Sequence, residues 1–379
     1  MKRILLFLVV LGLFSACGQR QLVEPELPRP VPDDSISFNP PKNIILLIGD
    51  GMGIAQITAG MYSNGNQLNL ERCKYIGLHI PYSSDNLVTD SAAGATAFAC
   101  GIKTYNGAIG VDPSKKAVPN IVEQVSAMGM ETGLVVTSTI THATPAAFYA
   151  HQPRRDMYEA IAADLAASEI DFFVGGGTTD FVGRQDGRNL IDEMRNNGFF
   201  LTDSATVSFD KVQIPFDKKF GYFSSPNAPV KASEGRDYLP LATQKAIQYL
   251  KRNGGKKGFF LMVEGSQIDW GGHANDSDYI VSEMLDFDKA VGAALDFAEE
   301  DGNTLVIITA DHETGGYSIL PGSEMNKIRP GFTTDSHTAS LIPVFAFGPG
   351  QELFTGVYEN TAIYHKMVRA LSLSKKLQP

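Results

Sequence analysis

At 379 residues, with 43% hydrophobic and 20% charged side chains, the chain is long enough to bury a substantial core. Its formal net charge of −10 excludes nucleic-acid binding through a basic face. It suits a protein that stores carboxylates to bind cations.

The chain opens on a processing signal. Lys2 and Arg3 precede an apolar run over 4–14 that is too short to cross a bilayer, and Ser15-Ala16-Cys17 follows. Small residues directly before a cysteine read as a bacterial lipoprotein signal, residues 1–16, with Cys17 lipidated; a plain secretory peptide is the competing reading. Prolines at 25, 28, 30, 32, 40 and 41 then make 17–41 a stiff, extended tether. The expected location is outside the cytoplasm, anchored by lipid to a bacterial membrane and facing the periplasm or the cell surface.

Residues 43–49 form a continuous apolar run, the pattern of a parallel strand covered on both faces. The run ends at the glycine turn Asp50-Gly51-Met52-Gly53, which leads into a short helix over 54–62. Next comes Val88-Thr89-Asp90-Ser91-Ala92-Ala93-Gly94-Ala95-Thr96-Ala97, where small residues let a helix start tightly beside the Ser91 hydroxyl. Such a helix start holds anions. Serine needs a base or a metal to act as a nucleophile. The context is not G-x-S-x-G, so the activator is expected to be zinc. Cys73 and Cys100 either pair or remain buried thiols; the sequence leaves both open.

Further apolar runs at 133–138, 172–174, 258–263, 304–309 and 342–347 alternate with helical patterns near 118–128, 157–167, 189–196, 239–252 and 278–299. A closing helix is expected over 358–371. The alternation predicts one α/β catalytic domain over 42–379, a three-layer sandwich with a large, mostly parallel central sheet. Residues 178–237, rich in Gly, Asp, Asn and Pro, read as a peripheral insertion.

Ligands of open α/β sheets bind beyond the carboxyl ends of the strands. Asp50, His142 with Thr144, Glu264, and Asp311 with His312 each follow a predicted strand. Asp269 and His273, four apart, share one helix face in the manner of a zinc clip. His273, His312 and His337 sit in glycine- or serine-rich turns near carboxylates, where ligands are expected. His79 and His365 lack such company and read as surface or packing residues, and His151 has no metal argument of its own.

These stretches together resemble the alkaline phosphatases. The motifs are Ile48-Gly49-Asp50-Gly51-Met52-Gly53, the Ser91 segment, His142-Ala143-Thr144-Pro145-Ala146 through Arg155, and Glu264-Gly265-Ser266-Gln267-Ile268-Asp269 with His273. Ala310-Asp311-His312-Glu313-Thr314-Gly315-Gly316 and Ser336-His337-Thr338 complete the set. The resemblance implies a phosphomonoester hydrolase with Ser91 as nucleophile, working through a phosphoserine intermediate and releasing inorganic phosphate from small esters. It implies one zinc on Asp269, His273 and His337, and a second on Asp50, Asp311 and His312 beside Ser91. A magnesium ion is implied on Asp50, Thr144 and Glu264. Arg155, rather than Arg154, would grip phosphate, with Asp90, His142 and Trp270 around it. Oxygen-only ligands suit magnesium and mixed imidazole–carboxylate sets suit zinc, which agrees with this division.

Two departures stand out. Some relatives carry aspartate where His142 stands and lysine where Trp270 stands, so magnesium selectivity at the third site is expected to be weaker. The segment 317–336 is a short crown-like connection where larger relatives build a dimer contact, which leaves monomer or homodimer open. The alternatives are a phosphodiesterase of the same superfamily, or a non-catalytic phosphate- or metal-binding surface lipoprotein.

Overall fold

Strand β1 (Asn43–Gly49) is buried along its whole length, as its unbroken apolar run requires. The computed structural model describes residues 37–372; the expected signal, Cys17 and residues 17–36 of the tether lie outside them. After helix α1 (Ile54–Tyr62) come β2 (Tyr75–Ile80), α2 (Ser91–Cys100), α3 (Ile121–Ser126), β3 (Glu131–Thr139) and the short α4 (Ala143–Ala146). Next are α5 (Tyr158–Ala167), β4 (Phe172–Gly176), α6 (Leu190–Asn196), β5 (Phe199–Asp203), β6 (Lys219–Phe223) and α7 (Tyr238–Gly254). Then follow β7 (Phe259–Gly265), α8 (Gln267–His273), α9 (Ser277–Asp301) and β8 (Thr304–Thr309). Four two-residue strands come next: β9 (Glu313–Thr314), β10 (Ser318–Ile319), β11 (Pro330–Gly331) and β12 (His337–Thr338). The chain closes through β13 (Ile342–Phe347), β14 (Gly356–Glu359) and α10 (Thr361–Ala370).

Ten strands form one sheet in the order β14-β2-β13-β8-β1-β7-β3-β4-β6-β5. Every pairing is parallel except the two made by β13, which runs against both β2 and β8. The mostly parallel α/β sheet is thus the expected one. Both faces are covered. Ile45 and Leu47 of β1 join the core under α7 and α9, while Ile44, Leu46 and Ile48, pointing the other way, are equally buried. Helices α1, α7, α8 and α9 pack as one group, and α2, α3, α4 and α10 connect through α2 in another. Among the described residues no helix is long and apolar enough to cross a membrane.

Three elements differ from expectation. Residues 178–237 are not wholly peripheral, because β5 and β6 extend the main sheet beyond β4. The closing helix starts at Thr361, and the residues before it form edge strand β14 beside β2. Neither β2 nor β14 shows an apolar run; both alternate in burial or are largely exposed, as edge positions allow. Cys73 and Cys100 are both free and buried, and burial pushes each thiol up to about 12.

Candidate active site

Four neighbouring strands, β8, β1, β7 and β3, end together. Ile48 lies level with Glu264 and Thr309, and Glu264 in turn with Val136. Parallel pairing therefore brings Asp50, Glu264, Asp311–His312 and, one turn past β3, His142–Thr144 to one edge of the sheet. The turn after β1 needs glycine at its centre. Gly51 has φ +75°, and a Cβ there would lie 2.6 Å from the Cα of Asp269. That close approach sets α8 against the end of β1.

On α8, Asp269 and His273 lie one turn apart, with Asp269 Oδ2 at 3.3 Å from His273 Nε2. His337 Nε2 stands 3.5 Å from Asp269 Oδ1 and 3.1 Å from His273 Nε2. His273 Nδ1 donates to the Asp335 carbonyl at 2.6 Å, and His337 Nδ1 to the Thr89 carbonyl at 2.9 Å. A carbonyl only accepts, so both Nδ1 atoms carry protons and the two Nε2 lone pairs are left facing each other. Such an approach is repulsive unless a proton or cation lies between. The edge of a tetrahedron with metal–nitrogen bonds of about 2.0–2.1 Å is about 3.3 Å, close to these separations. With no cation, the Asp269 carboxylate raises His273 to about 9, so protons compete for the same position.

The second group is wholly buried. His312 Nε2 lies 3.2 Å from Asp311 Oδ2, 3.5 Å from Asp50 Oδ1 and 3.3 Å from Ser91 Oγ. Its Nδ1 sits 3.2 Å from the Thr314 hydroxyl, which donates to Asp269 Oδ1 at 2.5 Å. The third group is Asp50, Glu264 and His142, with Thr144 beside it on α4.

Buried polar atoms normally find partners, yet here many do not. Both oxygens of Asp50, Oε1 of Glu264, Oδ2 of Asp311, Oγ1 of Thr144 and Nδ1 of His142 make no hydrogen bond, although His312 Nε2 lies close to Asp50 Oδ1 and Asp311 Oδ2. Burial, then repulsion from Asp311, Asp269 and Glu264, holds Asp50 well above the usual carboxylate range. Burial raises Glu264 to about 8 and Asp311 to about 6. A cluster so charged and so unpartnered fits divalent cations: mixed imidazole–carboxylate sets in the first two groups, and an oxygen-rich set with one imidazole in the third.

Ser91 opens α2, whose ten residues are all buried. Asp90 caps that helix by accepting from the Ala93 N–H at 3.0 Å, and accepts also from Gly107 N–H and from Arg155 Nη1, each at 3.0 Å. Gly94 lets the helix close on the second group, since a Cβ there would lie 3.0 Å from Asp311 Cβ. Arg155 Nη2 is 3.3 Å from His142 Nε2, and Trp270 meets the His142 ring edge to face with centroids 6.1 Å apart. Arg154 points elsewhere and pairs with Asp156 on the surface. Apart from Cys17, all the site residues named from the sequence therefore lie in or against this one cluster.

Sequence reasoning missed Thr314 and Asn106. Thr314 lies two residues past His312, the spacing that returns to the same side of an extended chain. Asn106 braces the turn before Ser91 by accepting from the Asp90 N–H and donating to the Val88 carbonyl. It carries no signal of its own. Of the two readings for His79, packing is the one observed: it is fully buried, with its Nε2 on the Ala310 carbonyl. His151 pairs with Glu123, and His365 reaches the Gly101 carbonyl.

Residues 41–329 and 324–373 match the sequence profile of the family described as Alkaline phosphatase. The chain is 34% identical over 421 residues to Alkaline phosphatase 3 of Bacillus subtilis, covering 89% of this chain and 90% of that protein. It is 33% identical over 417 residues to the alkaline phosphatase of Escherichia coli, covering 90% and 88%. The solved alkaline phosphatase of the Antarctic bacterium TAB5 is 46% identical, with a TM-score of 0.82 over 89% of this chain and 99% of that one.

Proposed function

Because the chain belongs to the alkaline phosphatase family, and so is a metal-dependent phosphomonoester hydrolase, we propose that it works through a phosphoserine on Ser91. Asp269, His273 and His337 would hold one zinc ion, and Asp50, Asp311 and His312 a second. Asp50, Thr144 and Glu264, with His142 beside them, would hold a third, harder cation such as magnesium. The observation that carries this reading is the set of buried carboxylate oxygens without hydrogen bonds, those of Asp50 and Asp311 lying beside the same His312 Nε2 that stands 3.3 Å from the Ser91 hydroxyl.

Cations bound there would lower the pKa of the Ser91 hydroxyl and offset the charge of the departing oxygen. Ser91 Oγ then attacks phosphorus in line, the ester oxygen leaves with its electron pair and takes a proton, and a phosphoserine remains. Water attacks the same phosphorus from the vacated side, releasing inorganic phosphate and returning the Ser91 hydroxyl. A phosphate on Ser91 would lie at the N-terminal end of α2, where the helix dipole favours an anion. Arg155 offers a planar fork to two phosphate oxygens, steadied by Asp90 at Nη1 and by His142 at Nη2. The direct test is metal analysis of the purified protein alongside hydrolysis of a monoester and its methyl diester. Zinc, magnesium and preferential monoester turnover are expected. Preference for the diester, or no turnover with both metals supplied, would overturn the proposal.

His142 sets the character of the third group. Its Nε2 accepts from Arg155 Nη2, which puts the ring proton on Nδ1; Nδ1 would bind a cation beside Asp50 and Glu264 only once that proton has moved to Nε2 and Arg155 has let go. A nitrogen donor among oxygens softens the site towards zinc. A variant of the TAB5 enzyme with one histidine changed to aspartate has magnesium bound in its M3 site. His142→Asp here should therefore raise magnesium occupancy in a zinc–magnesium competition read by metal analysis. Equal magnesium selectivity in the parent and the variant would count against this.

We propose further that a lipid on Cys17 anchors the chain to a bacterial membrane, with the catalytic domain in the periplasm or at the cell surface. Lys2, Arg3, the apolar run and Ser15-Ala16-Cys17 support this. Fatty-acid labelling that survives Cys17→Ser would refute it.

A further inference from the structure

His79 is a fully buried imidazole that the proposed chemistry does not use. It lies on β2, paired with Ile342 of β13, the strand that separates β2 from β8. The ladder between β13 and β8 pairs Phe347 with Val306, Ala346 with Ile307 and Phe345 with Ile308. Continued towards the site, that register sets Pro343 opposite Ala310. Proline has no N–H, so β13 cannot meet the Ala310 carbonyl there. Proline inside a sheet, away from its edge, calls for a substitute donor. Two side chains supply what the backbone lacks. The Thr309 hydroxyl donates to the Pro343 carbonyl at 3.0 Å, and His79 Nε2 donates to the Ala310 carbonyl at 2.8 Å.

The position of that carbonyl gives the bond its meaning. Ala310 is joined directly to Asp311 and His312. The same imidazole meets Phe98 of α2 edge to face, with centroids 5.4 Å apart, and α2 begins with Ser91. Burial pushes His79 down to about 4, so the ring is neutral over the working range, with its proton held on Nε2 by the carbonyl.

We propose that His79 is a positioning residue, holding the Asp311–His312 turn through the Ala310 carbonyl and against the helix that carries Ser91. The inference rests on the reading above that Asp50, Asp311 and His312 hold zinc. Losing a group that orients metal ligands lowers affinity by about 10–100-fold, and His79 acts at one remove, so about tenfold is expected.

The test is zinc titration of the metal-free protein against a chromophoric chelator. With magnesium in excess to fill the third group, the parent should bind two zinc ions tightly. His79→Phe should lose about tenfold at one of them and leave the other unchanged. His79→Gln, which keeps a donor, should recover most of the loss. Pro343→Ala added to His79→Phe should also recover it, because it returns an N–H opposite Ala310 without restoring any imidazole. A packing role alone would weaken both sites together and would not respond to Pro343→Ala. Parent-like affinity at both sites in His79→Phe, or uniform weakening that Pro343→Ala does not relieve, would overturn the proposal. Should His79→Phe fail to fold, recovery of the fold and of both sites in the double variant supports it, and no recovery overturns it. A parent that binds no zinc would overturn the underlying reading and this one with it, a result distinct from failure of the variants alone.

Discussion

Ser91→Ala should lower phosphomonoester turnover by about 10⁴-fold or more while the fold and metal content stay close to those of the parent. Ser91 Oγ stands against the second group on the Nε2 side of His312, at 3.3 Å, whereas the Thr314 hydroxyl sits on its Nδ1 side and is taken up by Asp269. The substitution is structurally mild. Alanine is a strong helix former, and the cap of α2 is the Asp90 side chain, which the change leaves in place. Loss of activity can therefore be read as loss of the nucleophile. Steady-state kinetics with metal analysis and circular dichroism on the same sample would check it. A turnover number within tenfold of the parent would remove Ser91 from the reaction.

Chelation should make stability depend steeply on pH. Stripped of metal, the protein is expected to unfold at progressively lower temperature between about pH 6.5 and pH 8, and zinc with magnesium should flatten the trend. The sign follows from the folded-state values. Burial raises Asp311 to about 6 and Glu264 to about 8, and burial with neighbouring carboxylates raises Asp50 well above the usual range, whereas unfolded carboxyls titrate near about 4. Between those limits these carboxyls hold more protons folded than unfolded, so raising the pH favours unfolding. Below about 6.5 the buried His79, His142 and His312, all pushed down by burial, act in the opposite direction, which leaves the trend clear only above that value. His273, raised to about 9 chiefly by its hydrogen bond to Asp269, acts in the same direction from about 6.5 upward. Asp269 is lowered, and its contribution is lost only on acidification below the ordinary carboxyl range. Each fully linked proton changes stability by about 1.4 kcal/mol per pH unit, so the effect should reach a few kcal/mol. Scanning calorimetry across that range, with and without metals, would measure it. A flat melting temperature in the metal-free protein would mean that the carboxylates are compensated by something other than cations.

The centre of the fold was legible because burial on both faces leaves an unbroken apolar run. Strands β1, β3, β4, β7, β8 and β13 all carry one. The sheet's margins were not, for the complementary reason. Strand β2 alternates buried and half-exposed positions, β14 is mostly exposed, and β5 and β6 sit among glycine- and proline-rich connections that hide their pairing. The site was legible where a ligand ends a strand, as Asp50, Glu264 and Asp311 do, or repeats with helical spacing, as Asp269 and His273 do. The grouping of these ligands into three sets came from resemblance to a family, since no local spacing joins residues from distant parts of the chain. Thr314 and Asn106 were missed because nothing local marks their partners, the Asp269 carboxylate far away in sequence and the backbone of the turn before Ser91.

The two buried thiols give the fold an internal clock. Cys73 lies in the core shared with α9, while Cys100 ends α2 and its thiol points to the Val118 carbonyl. Neither is cross-linked. An alkylating reagent can mark each one only in molecules that have opened around it. Their separate labelling rates would time excursions on the two sides of the sheet, and a slower mark at Cys100 on metal binding would show the nucleophile's helix being clamped.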